Sequence, residues 1–579
     1  MTQQAPHDEP PADAGAPSTT DAPDATGSST SAPTSGDAPA RHDDVEARAE
    51  RSGNAVSVLV IVSRITGFLR TSVQAWAIGA AGLASAYTVA NNLPNTLYEL
   101  VMGGMLVTAF LPVYLKVKER CGREGANAYT SNLLSLVLIV MGVLTVLCFV
   151  FAVPIVWTQS AGASEGFDSD LAVWFFRWFM CEIVLYALSS IISGVLNAER
   201  DYLWSNAAPI FNNLIVIASF VIYSYLVTAG VPWRTAAISL AIGNPLGVAV
   251  QVAVQLPVLR RYGVRVSLRV DLHDPALRDT FRIGIPTLVA TLASTPTSAV
   301  MSSCALSVTE AGASIAYYAR VWYVLPYSIF AIPISVTMFT ELSQSHMAGD
   351  LGRFRDYLQS GIRKIFFTLI PMTMFLIVFA PSLVAVFTSG SFTEEAAEMT
   401  VGYLRALSLA LPFYGLMTYL QKTCSAMMQM WLYAVATCIA SAVQVVVCIV
   451  GTPLGGLYVV PLTSVLFYGT IDVVTLVYIH RKLGHVGMRA ILGTCLRAAL
   501  LGLAGALVGW AVLEWLTATF GACSGMLEGL LYTVVGGVPA VLVTFGGASL
   551  LGISESPFFD AIFGRAAALV RRVLPRKEG

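Results

Sequence analysis

Residues 56–79 read VSVLVIVSRITGFLRTSVQAWAIG, an apolar stretch long enough to cross a bilayer as a helix, because about 20 apolar residues span the hydrocarbon core. Arg64 and Arg70 stand inside it. A fixed charge at membrane depth costs at least ~2.5 kcal/mol even on lenient scales, so it survives where it faces a water-filled cavity or a partner charge. Neither guanidinium can neutralise itself by losing a proton. The stretch therefore predicts a chain that spans the membrane and encloses a polar cavity suited to an anionic group.

The rest of the chain repeats the apolar half of that pattern. Of 579 residues, 56% are hydrophobic and 12% charged, against a usual charged fraction of about 25%. Fourteen apolar segments can be drawn, at 55–79, 84–118, 128–157, 170–196, 203–229, 234–259, 280–308, 313–343, 358–388, 397–421, 426–450, 455–480, 491–516 and 527–551. A transmembrane barrel needs short alternating segments instead. The expected class is an all-α polytopic membrane protein.

The net charge of −1 hides a strong asymmetry. Among the 34 Lys and Arg, only Arg234 falls in a loop after an odd-numbered segment. Arg41, Arg48 and Arg51 precede the first segment, Arg64, Arg70, Arg177, Arg320, Arg405 and Arg497 lie deep within segments, and Lys116, Lys118, Arg282, Arg363 and Lys364 lie at the ends of segments that adjoin the loops after even-numbered ones. All the others follow even-numbered segments or occupy the C-terminal tail. The positive-inside rule then places both termini in the cytoplasm. Residues 1–54, rich in Ala, Pro, Ser, Thr and Asp, cannot bury enough apolar surface to order themselves and are expected to form a disordered tail. Residues 554–579 alternate apolar and basic positions at helical spacing, as an amphipathic interfacial helix does.

The second segment contains Leu93-Pro94 and then Val107-Thr108-Ala109-Phe110; the eighth contains Leu325-Pro326 and then Val336-Thr337-Met338-Phe339. This recurrence suggests two six-helix lobes, 55–262 and 263–482, with helices 13 and 14 appended at 483–553. Repeats of this kind place a substrate cavity between the lobes. The basic connection at 260–282 reads as an orientation signal that also attracts anionic lipid. Nine scattered cysteines and six scattered histidines offer no zinc spacing, and no Walker A motif or nucleophile set is present. The expectation is a transporter rather than an enzyme, with no metal, no cofactor and no nucleic-acid partner.

SRITGFLR (63–70), ASAYTVANNLPN (84–95), TAFLPVYLK (108–116), GVLNAERDYLWSNAAPIFNN (194–213), YYARVWYVLP (317–326) and GSFTEE (390–395) together resemble the MurJ (MviN) lipid II flippases of the multidrug/oligosaccharidyl-lipid/polysaccharide exporter superfamily. The resemblance implies fourteen helices, a cationic cavity between two lobes, and a groove by helices 13 and 14 for a lipid tail. It implies alternating access that moves lipid II across the bacterial plasma membrane, driven by membrane potential or an ion gradient. Membrane lipids and cell-wall synthesis proteins are the further partners it implies. Arg64 and Arg70 stand at the family's two helix-1 cavity arginines. Six residues apart, they point about 120° apart on an ideal helix; a bend at Gly67 would bring them onto one wall. Ion pairing with Glu99 or Glu182 is the alternative reading for both.

Departures accompany the resemblance. Ser85 stands where the family has an acid, Tyr98 where it has an arginine, and Val321 where it has the helix-8 arginine, with Arg320 one position earlier. Arg320 is therefore a third candidate for substrate binding. Pro94, Asn95 and Pro326 are candidates for bending or gating, and Asp472 for ion coupling. Ion pairs are the default expectation for Arg177, Glu182, Arg405 and Asp472. Export of another polyprenyl-linked saccharide is one alternative function, and a diverged non-transporting scaffold is the other. A cationic-drug exporter fits poorly with arginines on helix 1.

Overall fold

A computed structural model describes residues 39–103, 110–264, 267–484, 486–553 and 555. Two compact units divide the chain, Met1–Asn54 and Ala55–Gly579, and all that follows concerns the second. The described residues are helical with no strand. In chain order the helices are α1 Pro39–Ile78, α2 Gly82–Tyr98, α3 Leu111–Val150, α4 Ala152–Ser160, α5 Ser169–Phe179, α6 Cys181–Ala198 and α7 Tyr202–Thr228. They continue as α8 Trp233–Arg261, α9 Pro275–Val308, α10 Gly312–Pro326, α11 Ile332–Met347, α12 Leu351–Ala385 and α13 Glu394–Ser408. The last are α14 Leu411–Ala426, α15 Met430–Gly455, α16 Val459–Leu483, α17 Met488–Phe520, α18 Met526–Val541 and α19 Gly547–Leu550.

Ten helical spans among the described residues are long and apolar enough to cross a membrane, so the chain is a multi-pass helical membrane protein. Four of the expected segments, 55–79, 84–118, 280–308 and 397–421, fall outside those ten, which are counted over the described residues alone. The segment at 397–421 is split between α13 and α14, and α2 gives way to a π-helical turn at Glu99–Gly103.

α1 begins at Pro39, earlier than the expected boundary at 55. The expectations for residues 1–38 and 556–579 lie outside the described residues, as does the Val107–Ala109 part of the internal repeat.

Burial gathers into clusters. In one, the Tyr87 ring meets Phe175, Phe179 and Phe220 edge-on at 5.4–5.6 Å between centroids. In another, Tyr318 packs on Phe387 and Phe392, and Phe68 of α1 reaches Trp322 at 5.1 Å. Lipid is as apolar as Leu, so helices associate in it by close packing rather than by hydrophobic drive. α7 and α8 show how: a Cβ at Gly243 would lie 2.2 Å from the Ser219 Cβ, and one at Gly247 would lie 2.4 Å from the Asn212 amide oxygen. The Gly243-x-x-x-Gly247 spacing lets the two backbones approach.

The connection between α8 and α9 is docked rather than loose. The backbone N–H groups of Ser267, Arg269 and Asp271 donate to the side chains of Ser131, Ser135 and Asn132 on α3, at 3.1, 3.0 and 2.7 Å. These three buried α3 residues thereby satisfy an otherwise unpaired strand of backbone. Nearby, Lys118 Nζ and Tyr114 OH both reach Glu199 at 2.7 Å. Burial alone would push the Glu199 carboxyl up, but these two donors outweigh it and hold it below the usual carboxylate range.

Candidate functional site

A cavity of about 580 Å³ opens between α2, α9, α10 and α13–α16. Its walls follow helical periodicity. Thr287, Thr291, Ser294, Ser298 and Ser302 form a hydroxyl stripe down α9 at spacings of three to four. α15 contributes Tyr433, Thr437 and Gln444, and α16 contributes Ser464 and Tyr468. Glu99 and Arg320 are the charged residues among the described lining. Arg320 is exposed, and what it is exposed to is this cavity. It lies among the phenols of Tyr468, Tyr414, Tyr323 and Tyr403, with Glu99 in electrostatic reach.

Arg70 is half-buried and is not among the described cavity lining. It sits among Tyr317, Tyr87 and Tyr186, and Tyr317 lines the cavity. The fully buried Glu182 is within electrostatic reach of it, short of direct contact. Asn244 Nδ2 donates to Asn91 Oδ1 at 2.6 Å and to Glu182 Oε2 at 3.4 Å, joining α2, α6 and α8 through one amide. Arg64 is exposed and does not line the cavity among the described residues. α1 runs unbroken through Gly67, where a side chain would come within 3.6 Å of the Asn213 amide. Asn213 in turn donates to Thr66 Oγ1 at 3.1 Å.

One end of the bundle is sealed by contacts between distant segments. Ser85 and Ser314 pair through their hydroxyls at 3.1 Å, and Ser314 Oγ also donates to the Ala80 carbonyl. Tyr318 OH donates to the Gly79 carbonyl at 2.8 Å. Ser391 N donates to the Trp76 carbonyl at 3.0 Å, and Ser164 N to the Leu306 carbonyl at 2.9 Å. Gly79 has φ +65°, and a Cβ there would lie 2.3 Å from the Ser391 carbonyl oxygen, so the closure depends on the missing side chain.

Of the residues expected to bend or gate helices, Gly67 lies in unbroken helix, whereas Pro94, Asn95 and Pro326 stand next to irregular turns. Pro94 and Asn95 precede the π-helical turn at Glu99–Gly103, and Pro326 immediately precedes another at Tyr327–Ala331. Such turns are frequent at functional sites and can kink helices. Asn95 also lines the cavity.

The default ion pairs are not formed among the described residues. Arg177 lies over the Phe149 ring at 5.6 Å, Arg405 Nε donates to the Ile377 carbonyl at 3.1 Å, and Glu182 accepts from Asn244. Neutral partners on neighbouring helices take the place of opposite charges. Asp472 is 3% exposed, and neither of its oxygens has a hydrogen-bond partner among the described residues. It stands one turn along α16 from Tyr468, near Tyr433.

The α9 stripe, the Tyr cluster and the Asn91–Asn244–Glu182 network were not singled out in the sequence. The stripe carried a signal, hydroxyls at spacings of three to four in an apolar segment. The other two did not, because their members come from separate helices.

A family model for lipid II flippase MurJ matches residues 74–530. A probable lipid II flippase MurJ of Rhizobium meliloti is 26% identical over 361 residues, covering 61% of this chain and 66% of that protein. The lipid II flippase MurJ of Burkholderia cenocepacia is 25% identical over 362 residues, covering 62% and 69%. The chain thus spans about two thirds of the length of these relatives. A solved lipid II flippase MurJ in an inward closed conformation matches with TM-score 0.68 and 20% identity over 86% of this chain and 99% of that one. An inward-facing MATE family multidrug resistance transporter of the MOP superfamily matches with TM-score 0.62 and 16% identity over 74% and 98%. At such identities the structural matches establish the fold.

Proposed function

Because this chain belongs to the lipid II flippase MurJ family, we propose that it moves lipid II from the inner to the outer leaflet of the bacterial plasma membrane by alternating access. The observation that carries this reading is a polar cavity inside a membrane-spanning bundle with Arg320 on its wall and Arg70 beside it. The lobes at 55–262 and 263–482 rock about that cavity; the headgroup passes through it while the polyprenyl tail stays in lipid along α17 and α18. Arg forks match phosphate oxygens and keep their charge at any physiological pH, which suits a pyrophosphate.

Both termini face the cytoplasm in this reading, so the sealed end faces outward. A cysteine introduced at Ser164 is expected to react with an impermeant thiol reagent in intact cells once the outer end opens, and one at Ser267 is not. Labelling at 267 would reverse the orientation.

Transport is driven by membrane potential or an ion gradient. A buried carboxylate without a partner is costly, which makes Asp472 the candidate for coupling to an ion. In a strain depleted of its own lipid II flippase, the wild-type gene is expected to restore growth. Asp472→Asn is expected to restore it poorly and to flatten the dependence of flipping on the gradient. Failure of the wild-type gene, with the protein present in the membrane, would favour the scaffold reading. An Asp472→Asn variant with wild-type gradient dependence would remove Asp472 from coupling.

A further inference from the structure

The cavity's charge is balanced and sparse. Among its described lining residues, one cation, Arg320, faces one anion, Glu99, and the rest are amides, hydroxyls, aromatic rings and a few aliphatic groups. Arg320 can hold one anionic linkage, and a site for hydrocarbon would lack Asn92, Asn95, Gln421 and Gln444, so the rest of the lining is suited to a polar, uncharged group. Amides and hydroxyls both donate and accept, as sugar hydroxyls do. Aromatic faces suit the C–H faces of a pyranose ring, a combination in keeping with small-molecule sites that place a few polar groups on an apolar, aromatic wall.

The rings are already ordered for that task. Tyr327 stacks on Tyr414 with centroids 4.0 Å apart and planes at 26°, and Tyr414 meets Tyr468 at 4.8 Å and 31°. Tyr323 backs Tyr414 at 5.7 Å and 18°. Tyr323 and Tyr327 lie behind the wall, whereas Tyr414 and Tyr468 line the cavity and are half-buried. The stack thus runs from α10 and the following turn, through α14, to end on α16 at Tyr468. Held between neighbours, the terminal ring loses little further freedom when a ligand docks on it. Tyr468 and Arg320 both line the cavity within electrostatic reach of each other, so ring and charge share one wall.

We propose that Tyr468, backed by Tyr414, is a saccharide-stacking platform that selects the sugar-bearing form of the lipid substrate, with Arg320 beside it on the anionic linkage. The proposal rests on the flippase reading and names the part of the site that tells a lipid-linked saccharide from its sugar-free carrier. Arg320 supplies affinity common to both lipids. Tyr468 supplies the difference.

The test uses the full chain in nanodiscs with two probes, lipid II and undecaprenyl pyrophosphate. Wild type is expected to bind lipid II at least about tenfold more tightly, the scale of one well-made recognition feature. Tyr468→Leu is expected to reduce that preference to about twofold or less, mainly by weakening lipid II binding. Tyr468→Phe, which keeps the ring and loses the hydroxyl, is expected to retain most of it. Equal binding of both probes by wild type would overturn the platform while leaving the flippase reading intact. Parallel weakening of both probes by Leu and Phe alike would overturn it too, because the tyrosine would then act only by holding Arg320. Binding of neither probe by the folded wild type would sink the flippase reading itself, and the platform with it.

Discussion

Arg320→Ala is expected to abolish growth of a strain depleted of its own lipid II flippase, with the variant still present in the membrane at wild-type level. Arg320 is the cation among the described cavity-lining residues, standing with four phenols and across from Glu99. A charge-assisted contact from arginine to a phosphate contributes about 1.5–3 kcal/mol, and a bidentate one more, so its loss lowers flipping by roughly 10- to 100-fold, and further where the contact is bidentate. Arg320→Lys keeps the charge without the fork and is expected to retain a small part of the activity. Moving the charge one position, with Arg320→Val and Val321→Arg together, turns it 100° around α10 and is expected to fail. Rescue by that double variant would show that the family position, rather than the cavity-facing one, is the position that matters. Arg70→Ala is expected to match Arg320→Ala, because it removes the only cation facing the buried Glu182 network among the described residues.

The second large effect is a reversible lock. Ser85 and Ser314 pair at 3.1 Å at the sealed end, in positions 229 residues apart. With the nine native cysteines replaced, Ser85→Cys plus Ser314→Cys is expected to cross-link under mild oxidant, since two hydroxyls in contact leave room for a bond of about 2.05 Å between sulfurs. Oxidation is expected to stop flipping completely and reduction to restore it, whereas either single cysteine should respond to neither. Continued flipping with the cross-link in place would show that this end does not open during transport. The departure of Ser85 from the family's acid acquires a meaning here: a neutral hydroxyl pair closes the end that a carboxylate would otherwise charge.

The sequence alone determined the class of this protein and much of its course. Hydropathy is a local sum, so helix positions could be read without knowing any neighbour. The asymmetry of Lys and Arg is likewise a property of loops in order along the chain. Arg64 and Arg70 could be recognised as costly, and therefore purposeful, from their surroundings in sequence. The tertiary structure decided which charges meet. Arg70 lies among three tyrosines near Glu182, Arg64 is exposed, and Arg320 turns into the cavity. The rotation of each helix about its axis depends on what packs against it, and a single segment does not encode that. The Tyr327–Tyr414–Tyr468 stack and the Asn91–Asn244–Glu182 network are assembled across helices far apart in the chain. Their members are ordinary residues one by one, and only close packing in three dimensions makes each a neighbour of the next.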